Sequence, residues 1–417
     1  MTVRSALTMA AAALLLVAPV GSRAKIPGDK IKIGILQDQP EPFATETRNG
    51  AVVAAQLAAS DFEKEFQKGD GEILAGVTAG SHDAVLAQVR DWLDKEHVDA
   101  IVSSSGLLID RAIAPMVARR HRTLLVTSNE AGGGSTLCSL NAVIWGDGPS
   151  ARARVLAQAL ILRGTKRWFV LADRSPAGLA DRAALDKAVA ANGGERVGEI
   201  DDVDGAAALG GVQARISAAE PRAVVLTQSD GDLVDLIRAA HTMTLPFQTI
   251  FVAPNARLAD IDQAGPAAAQ GLVVVAPFYW DANAETRRFA RRWDDRMPGE
   301  HVTSNAAETY AATLSFLRAA KAVDDVNAEK VLAELRRAPI KGTLFGDVSV
   351  RRDGRVVHDL GIYSVKRPGE VQQRWAYYDR LAIVKGASAF PPATCQTRSG
   401  PEAREGSHLA DVAPKGQ

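Results

Sequence analysis

From Ile31 onward the chain alternates short runs of β-branched and aliphatic residues with longer stretches in which apolar residues recur at helical spacing. Ile31-Lys32-Ile33-Gly34-Ile35-Leu36 reads as a strand. Residues 49–62 carry Val52, Val53, Leu57 and Phe62 at helical intervals. The step repeats, with strands over 72–77, 98–102 and 123–126 and helices over 82–93 and 109–118. Strands that are apolar throughout, rather than on alternate residues, belong in a parallel sheet covered on both faces. A second series starts near Ser150. Its helices are read over 151–162, 179–191, 206–218 and 233–240, and its strands over 168–171, 196–200, 223–226, 249–252 and 272–275. Gly193-Gly194 supplies a stop signal for the second of those helices. After Tyr279 the pattern turns helical over 285–295, 304–322 and 328–337. A β-type segment follows over 347–350, with a turn at Asp353-Gly354 and a strand over 361–365. The expected class is α/β, with two consecutive βα series in one chain.

Such a chain could be an enzyme built on a nucleotide fold, but the motifs are missing. The first βα junction, Gln37-Asp38-Gln39-Pro40-Glu41-Pro42, has no GxGxxG, and its acids oppose a pyrophosphate. The seven histidines form no HExxH, and no GxSxG is present. Gly132-Gly133-Gly134-Ser135 lacks the lysine of a P-loop. No cofactor and no metal are expected, and the chain reads as a non-enzyme. With 49 Lys and Arg against 49 Asp and Glu, the 417-residue chain has no net charge, which gives no reason to expect nucleic acid as a partner. The pairs Arg287-Arg288 and Arg291-Arg292 read as the solvated face of a helix.

The N-terminus bears on location. Arg4, the apolar run from Ala6 to Val20 and the small-x-small site Ser22-Arg23-Ala24 together read as a secretory signal over residues 1–24. An uncleaved anchor or a buried first helix is the other reading. No lipobox cysteine follows the signal. The two cysteines, Cys138 and Cys395, then suggest one disulfide, the alternative being two separate thiols. Residues 396–417 are polar and without aromatics, and are expected to form a disordered tail.

Several stretches together resemble the type I periplasmic solute-binding proteins of ABC importers, of the branched-chain amino acid (leucine-binding) group. They include Lys32-Ile33-Gly34-Ile35-Leu36, Gly50-Ala51-Val52-Val53-Ala54-Ala55-Gln56, Phe278-Tyr279-Trp280-Asp281, Arg352-Asp353-Gly354-Arg355 and Val365-Lys366-Arg367-Pro368-Gly369-Glu370. Trp375-Ala376-Tyr377-Tyr378 and Ala389-Phe390-Pro391 continue the likeness, and Cys138 and Cys395 have cysteine counterparts in the group. The resemblance implies two Rossmann-like lobes joined by a hinge, one of residues 30–147 plus 280–340 and one of 148–279 plus 341–395. It also implies a small-molecule ligand in the cleft, an ABC permease as partner, and a periplasmic location. A monomer is expected, and the alternative function is a ligand-sensing module that signals to a membrane partner.

Open α/β sheets bind ligands beyond the carboxyl ends of their strands. Ser103, Ser104 and Ser105 after the third strand could hold a carboxylate or simply cap the next helix. Ser128, Asn129 and Glu130 fall in a loop that the group uses for the ligand's head group. In the second series Ser175, Gln228, Asp230 and Asn255 follow strands, and Tyr279 lies at the crossing between lobes, where it could stack on a ligand or pack in the core. Four positions depart from amino-acid binders of the group. Leu107 and Leu108 stand where hydroxyls are usual, Ala131 replaces a threonine, and Asn255 stands where the acid facing a ligand ammonium is expected. A buried ammonium without a carboxylate is costly, so a leucine-like ligand fits poorly unless Glu130 or Asp230 supplies the charge. The alternatives are an aromatic or aliphatic acid, an amide, or a small alcohol-derived compound.

Overall fold

The computed structural model describes residues 30–37, 50–66, 71–77, 81–128, 137, 141–201, 209–245 and 249–390. The first sheet holds β1 (Ile31–Gln37), β2 (Gly71–Val77), β3 (Ala100–Ser103), β4 (Thr123–Val126) and β5 (Ala142–Ile144), all parallel, in the order 2-1-3-4-5. The helices α1 (Gly50–Glu65), α2 (His82–Asp91) and α3 (Leu107–Ala118) connect them. Gly34 and Gly76, on neighbouring strands, leave the slot filled by the Trp92 ring; a Cβ on either would lie 2.5 Å from it.

The second sheet repeats this plan. The strands β6 (Arg167–Ala172), β7 (Glu195–Asp201), β8 (Ala223–Leu226), β9 (Ile250–Ala253) and β10 (Val273–Ala276) run parallel in the order 7-6-8-9-10. Their helices are α4 (Gly148–Ile161), α5 (Pro176–Ala191), α6 (Leu209–Ala219), α7 (Asp230–Thr242), α8 (Leu258–Ala264) and α9 (Pro266–Ala269). The chain then returns to the first sheet through α10 (Ala284–Asp294), α11 (Ser304–Val323) and α12 (Ala328–Arg337), where α11 packs along α1. It crosses once more through β11 (Ile340–Thr343), β12 (Gly346–Val350) and β13 (Val356–Val357), a small antiparallel sheet. Antiparallel β14 (Leu360–Val365) and β15 (Tyr378–Val384) extend the second sheet beside β10, and α13 (Gly386–Ala389) follows.

Apolar clusters cover both faces of each sheet. The sequence reading assigns residues from 341 onward to the second lobe; Leu344, Phe345, Val348, Val350 and Val356 pack into the core of the first. Two crossing segments run side by side, with Ile144 N donating to Gly354 O at 2.8 Å. The left-handed φ of Gly354 (82°) and its contact with the Ala142 carbonyl leave no room for a side chain there.

Both sheets share the same strand order, so each has a switch point between its first and third strands: β1 and β3 in one, β6 and β8 in the other. Ligands of open α/β sheets sit outside the carboxyl ends at such points. That places Gln37 with residues 103–105 on one wall and residues 173–175 with 227–228 on the other.

Candidate functional site

A cavity of about 90 Å³ lies where the N-terminus of α11 meets the turn after β9 and the crossing segments. Thr303 starts α11 because its hydroxyl accepts from Ala306 N at 3.0 Å. The helix is held in place by its buried face, which includes Ala307, Ala311, Phe316 and Leu317. Ser304 and Asn305, at its first turn, line the cavity with His301 and Thr303. From the second lobe come residues 254–258, Arg152 and Tyr378, and from the crossings Asp147 and residues 275–278.

A buried ionic chain runs along this cavity. Asp147 is 3% exposed; its Oδ1 accepts from Gly148 N at 2.8 Å and lies 3.4 Å from Arg152 Nη1. Its Oδ2 is buried without a hydrogen-bond partner. Arg152 Nη2 lies 3.9 Å from Asp181 Oδ1, and Asp181 Oδ2 accepts from Asn255 Nδ2 at 2.6 Å. Burial pushes the Asp181 carboxyl up, against the pull of Arg152. Asn255 Oδ1 is also buried without a partner. Arg257 pairs with Asp260 at 2.9 Å, and burial lowers His301 to about 4, so its ring is neutral at pH 7. That ring packs on Trp375 of the second lobe at 4.1 Å between centroids.

Glu308 lies one helical turn beyond Ser304. It is wholly buried, and neither of its oxygens has a hydrogen-bond partner. Burial, then the nearby Asp147, drive its carboxyl well above the ordinary range, while Arg355 and Arg152 pull the other way. Arg355, itself buried, donates to Gly146 O and is brought down to about 10 by desolvation.

Of the residues singled out from sequence, Asn255 lines this cavity. The serine loop sits at the first switch point. Ser103 Oγ accepts from Ser105 N at 3.4 Å, and Ser104 Oγ donates to Leu36 O at 3.3 Å. Ser105 is buried with no partner for its hydroxyl. The helix-capping reading of these serines does not hold: Gly106 is the N-cap of α3, and no side chain caps it. Ser128 Oγ donates to Asp110 Oδ2 at 3.0 Å, within its own lobe. At the second switch point Ser175 caps α5, accepting from Gly178 N at 3.1 Å and donating to Asp173 Oδ2 at 2.5 Å. Gln228, which follows Thr227 after β8, is buried with its Oε1 unpartnered, and Asp230 begins α7. Tyr279 is 4% exposed and packs against Tyr363 at 5.4 Å and Tyr378 at 5.2 Å, so its ring belongs to the second core. Asn129, Glu130, Cys138, Cys395, the 1–24 segment and the 396–417 tail lie outside the described residues. Sequence reading missed Asp147, Arg152, His301 and Ser304. The signals were there: an acid preceding Gly148-Pro149 at a helix start, and Thr303 as the cap of the longest helix.

With this geometry in place the comparisons are decisive. A model of the periplasmic binding protein family matches residues 30–370. The chain belongs to that family. Solved structures of similar fold include the periplasmic ligand-binding protein of a branched-chain amino acid ABC transporter from Burkholderia xenovorans. It is 24% identical over 88% of this chain and 100% of that one, with a TM-score of 0.80. A periplasmic binding protein from Burkholderia mallei is 23% identical over 89% of this chain and 99% of that one, with a TM-score of 0.75. A solute-binding protein of an ABC transporter from Rhodopseudomonas palustris, solved with benzoate, is 17% identical over 88% and 98%, with a TM-score of 0.66. No curated protein sequence gave a significant match. For a periplasmic binding protein the two lobes and their cleft are the working parts, and the α11 mouth is where side chains of both lobes meet around open space.

Proposed function

We propose that the chain captures a small organic ligand in the cleft between its lobes and presents it to the permease of an ABC importer. The ligand is an amino acid, an aromatic or aliphatic acid, or an amide. Residues 1–24 direct export to the periplasm, Cys138 and Cys395 form a disulfide, and the exported chain acts as a monomer without chemistry of its own. The observation that carries this reading is the cavity walled by the start of α11 on one lobe and by residues 254–258 on the other. A ligand there touches both lobes only when they are closed, so binding favours the closed state by population shift.

The test is small-angle scattering of the exported chain with and without a compound that raises its melting temperature. A smaller radius of gyration with the compound is the expected result. A compound that binds tightly yet leaves the radius unchanged would sink the closure mechanism.

A further inference from the structure

Beside the unpartnered donor Arg152 Nε, two acceptors at the α11 mouth have nothing to accept from: Asp147 Oδ2 and Asn255 Oδ1, both buried. Buried acceptors are nearly always satisfied, and one left alone marks a place for a ligand or a water. Both residues line the same cavity, and Asp147 is 3% exposed.

The charges around them set the sign of what can enter. Asp147 and Asp181 flank Arg152, and Arg355 lies behind Asp147, so two carboxylates face two guanidiniums. Glu308 holds its proton and His301 is neutral, so neither alters that balance. Arg257 is matched by Asp260. A lone cation or anion sealed here would be a buried charge without a counter-charge, which is costly. Size narrows the choice further. A cavity of about 150 Å³ holds benzene, six carbons; by the same ratio, the 90 Å³ here suit about four non-hydrogen atoms.

We infer that this cavity takes a short uncharged molecule bearing both N–H or O–H donors and an oxygen acceptor, which donates to Asp147 Oδ2 and Asn255 Oδ1 and accepts from Arg152 Nε. This inference rests on the solute-binding reading and narrows its ligand to an uncharged molecule that both donates and accepts.

The test is a saturable rise in melting temperature and ligand-observed NMR on the full exported chain, at millimolar concentrations of four groups of probe. The groups are acetamide and propionamide; ethylene glycol; ethylamine, acetate and benzoate; and glycine and alanine. The expected result is binding of the amides or the glycol, and loss of about tenfold in affinity in Asn255→Leu, which removes one acceptor. Binding confined to the charged or zwitterionic probes would overturn the inference while leaving the transport reading in place. Unchanged affinity of the neutral probes in a folded Asn255→Leu would overturn it as well. Should that variant not fold, the ranking of probes on the unaltered chain decides. No binding by any probe would mean that water alone satisfies the two acceptors, and would count against the transport reading too.

Discussion

The two switch points and the α11 mouth are both made of strand ends and helix starts, yet they dispose of their polar atoms differently. At the switch points Ser103, Ser104 and Ser175 bond to their own backbone or to a near neighbour. What stays unpartnered there, Ser105 Oγ and Gln228 Oε1, is neutral. At the mouth one unpartnered atom belongs to a carboxylate, held by an arginine that also serves Asp181 from the other side. A buried neutral group left alone costs about 1–3 kcal/mol. A buried charge left alone costs more, and so the mouth is the wall whose chemistry is fixed most strongly by its neighbours.

Removing the shared cation should break that contrast most clearly. Arg152 is 11% exposed at its side chain, and Asp147 and Asp181 are 1% and 7% exposed. Arg152→Ala would leave Asp181 buried without its counter-charge and Asp147 with Arg355 alone, and such losses run to about 3–5 kcal/mol. Lys385, 80% exposed beside Asp359, is the control: Lys385→Ala should leave stability nearly unchanged. Urea unfolding of the two variants measures both. Equal effects would mean that the mouth is as solvated as the surface.

The next effect depends on pH. Glu308 is faced by Asp147, Arg152 and Arg355, and burial keeps its carboxyl protonated in the fold. The native state therefore holds a proton that the unfolded chain releases near pH 4.5, the ordinary value. Stability falls as pH rises above that value, by up to about 1.4 kcal/mol per pH unit, until the native carboxyl also ionises. Glu308→Gln has no proton to lose. Its stability relative to the unaltered chain should thus be higher at pH 8 than at pH 5. A constant difference across that range would show that Glu308 is ionised in the native protein.

Much of this architecture was legible in the residues. The inner strands of the two parallel series can be read from apolar β-branched runs such as Ala223–Leu226, because strands buried on both faces carry an unbroken signal, whereas the edge strand β7 carries Glu195, Arg196 and Glu199. The three residues of β5 are too few to show one, and β15 exposes Asp379 and Arg380 in its middle, which reads as polar loop. The helices α8 and α9 are short and begin without the usual side-chain acceptor of a cap signal, at Arg257 and Gly265. The site was less legible for a physical reason. Asp147, Arg152, Asn255 and Ser304 are far apart in sequence, and only the crossing of the chain between sheets brings them together. Tyr279 shows the reverse: Trp280, Tyr363 and Tyr378 converge on its ring, which is buried in the second core and leaves little of itself to a ligand.

The smallest effect separates a cap from a ligand contact. Ser175 stands at the second switch point, where a ligand contact is expected from sequence, and its hydroxyl is already engaged twice. Loss of an N-cap serine costs about 1 kcal/mol. Ser175→Ala should therefore lower stability by about that amount and leave the affinity for any bound compound within twofold, or about 0.4 kcal/mol. Stability from urea unfolding and affinity from calorimetry, taken on the same preparation, give the two numbers. A tenfold loss of affinity with little loss of stability would move the ligand from the α11 mouth to the switch point, and would mean that the hydroxyl exchanges Gly178 N for the ligand when the lobes close.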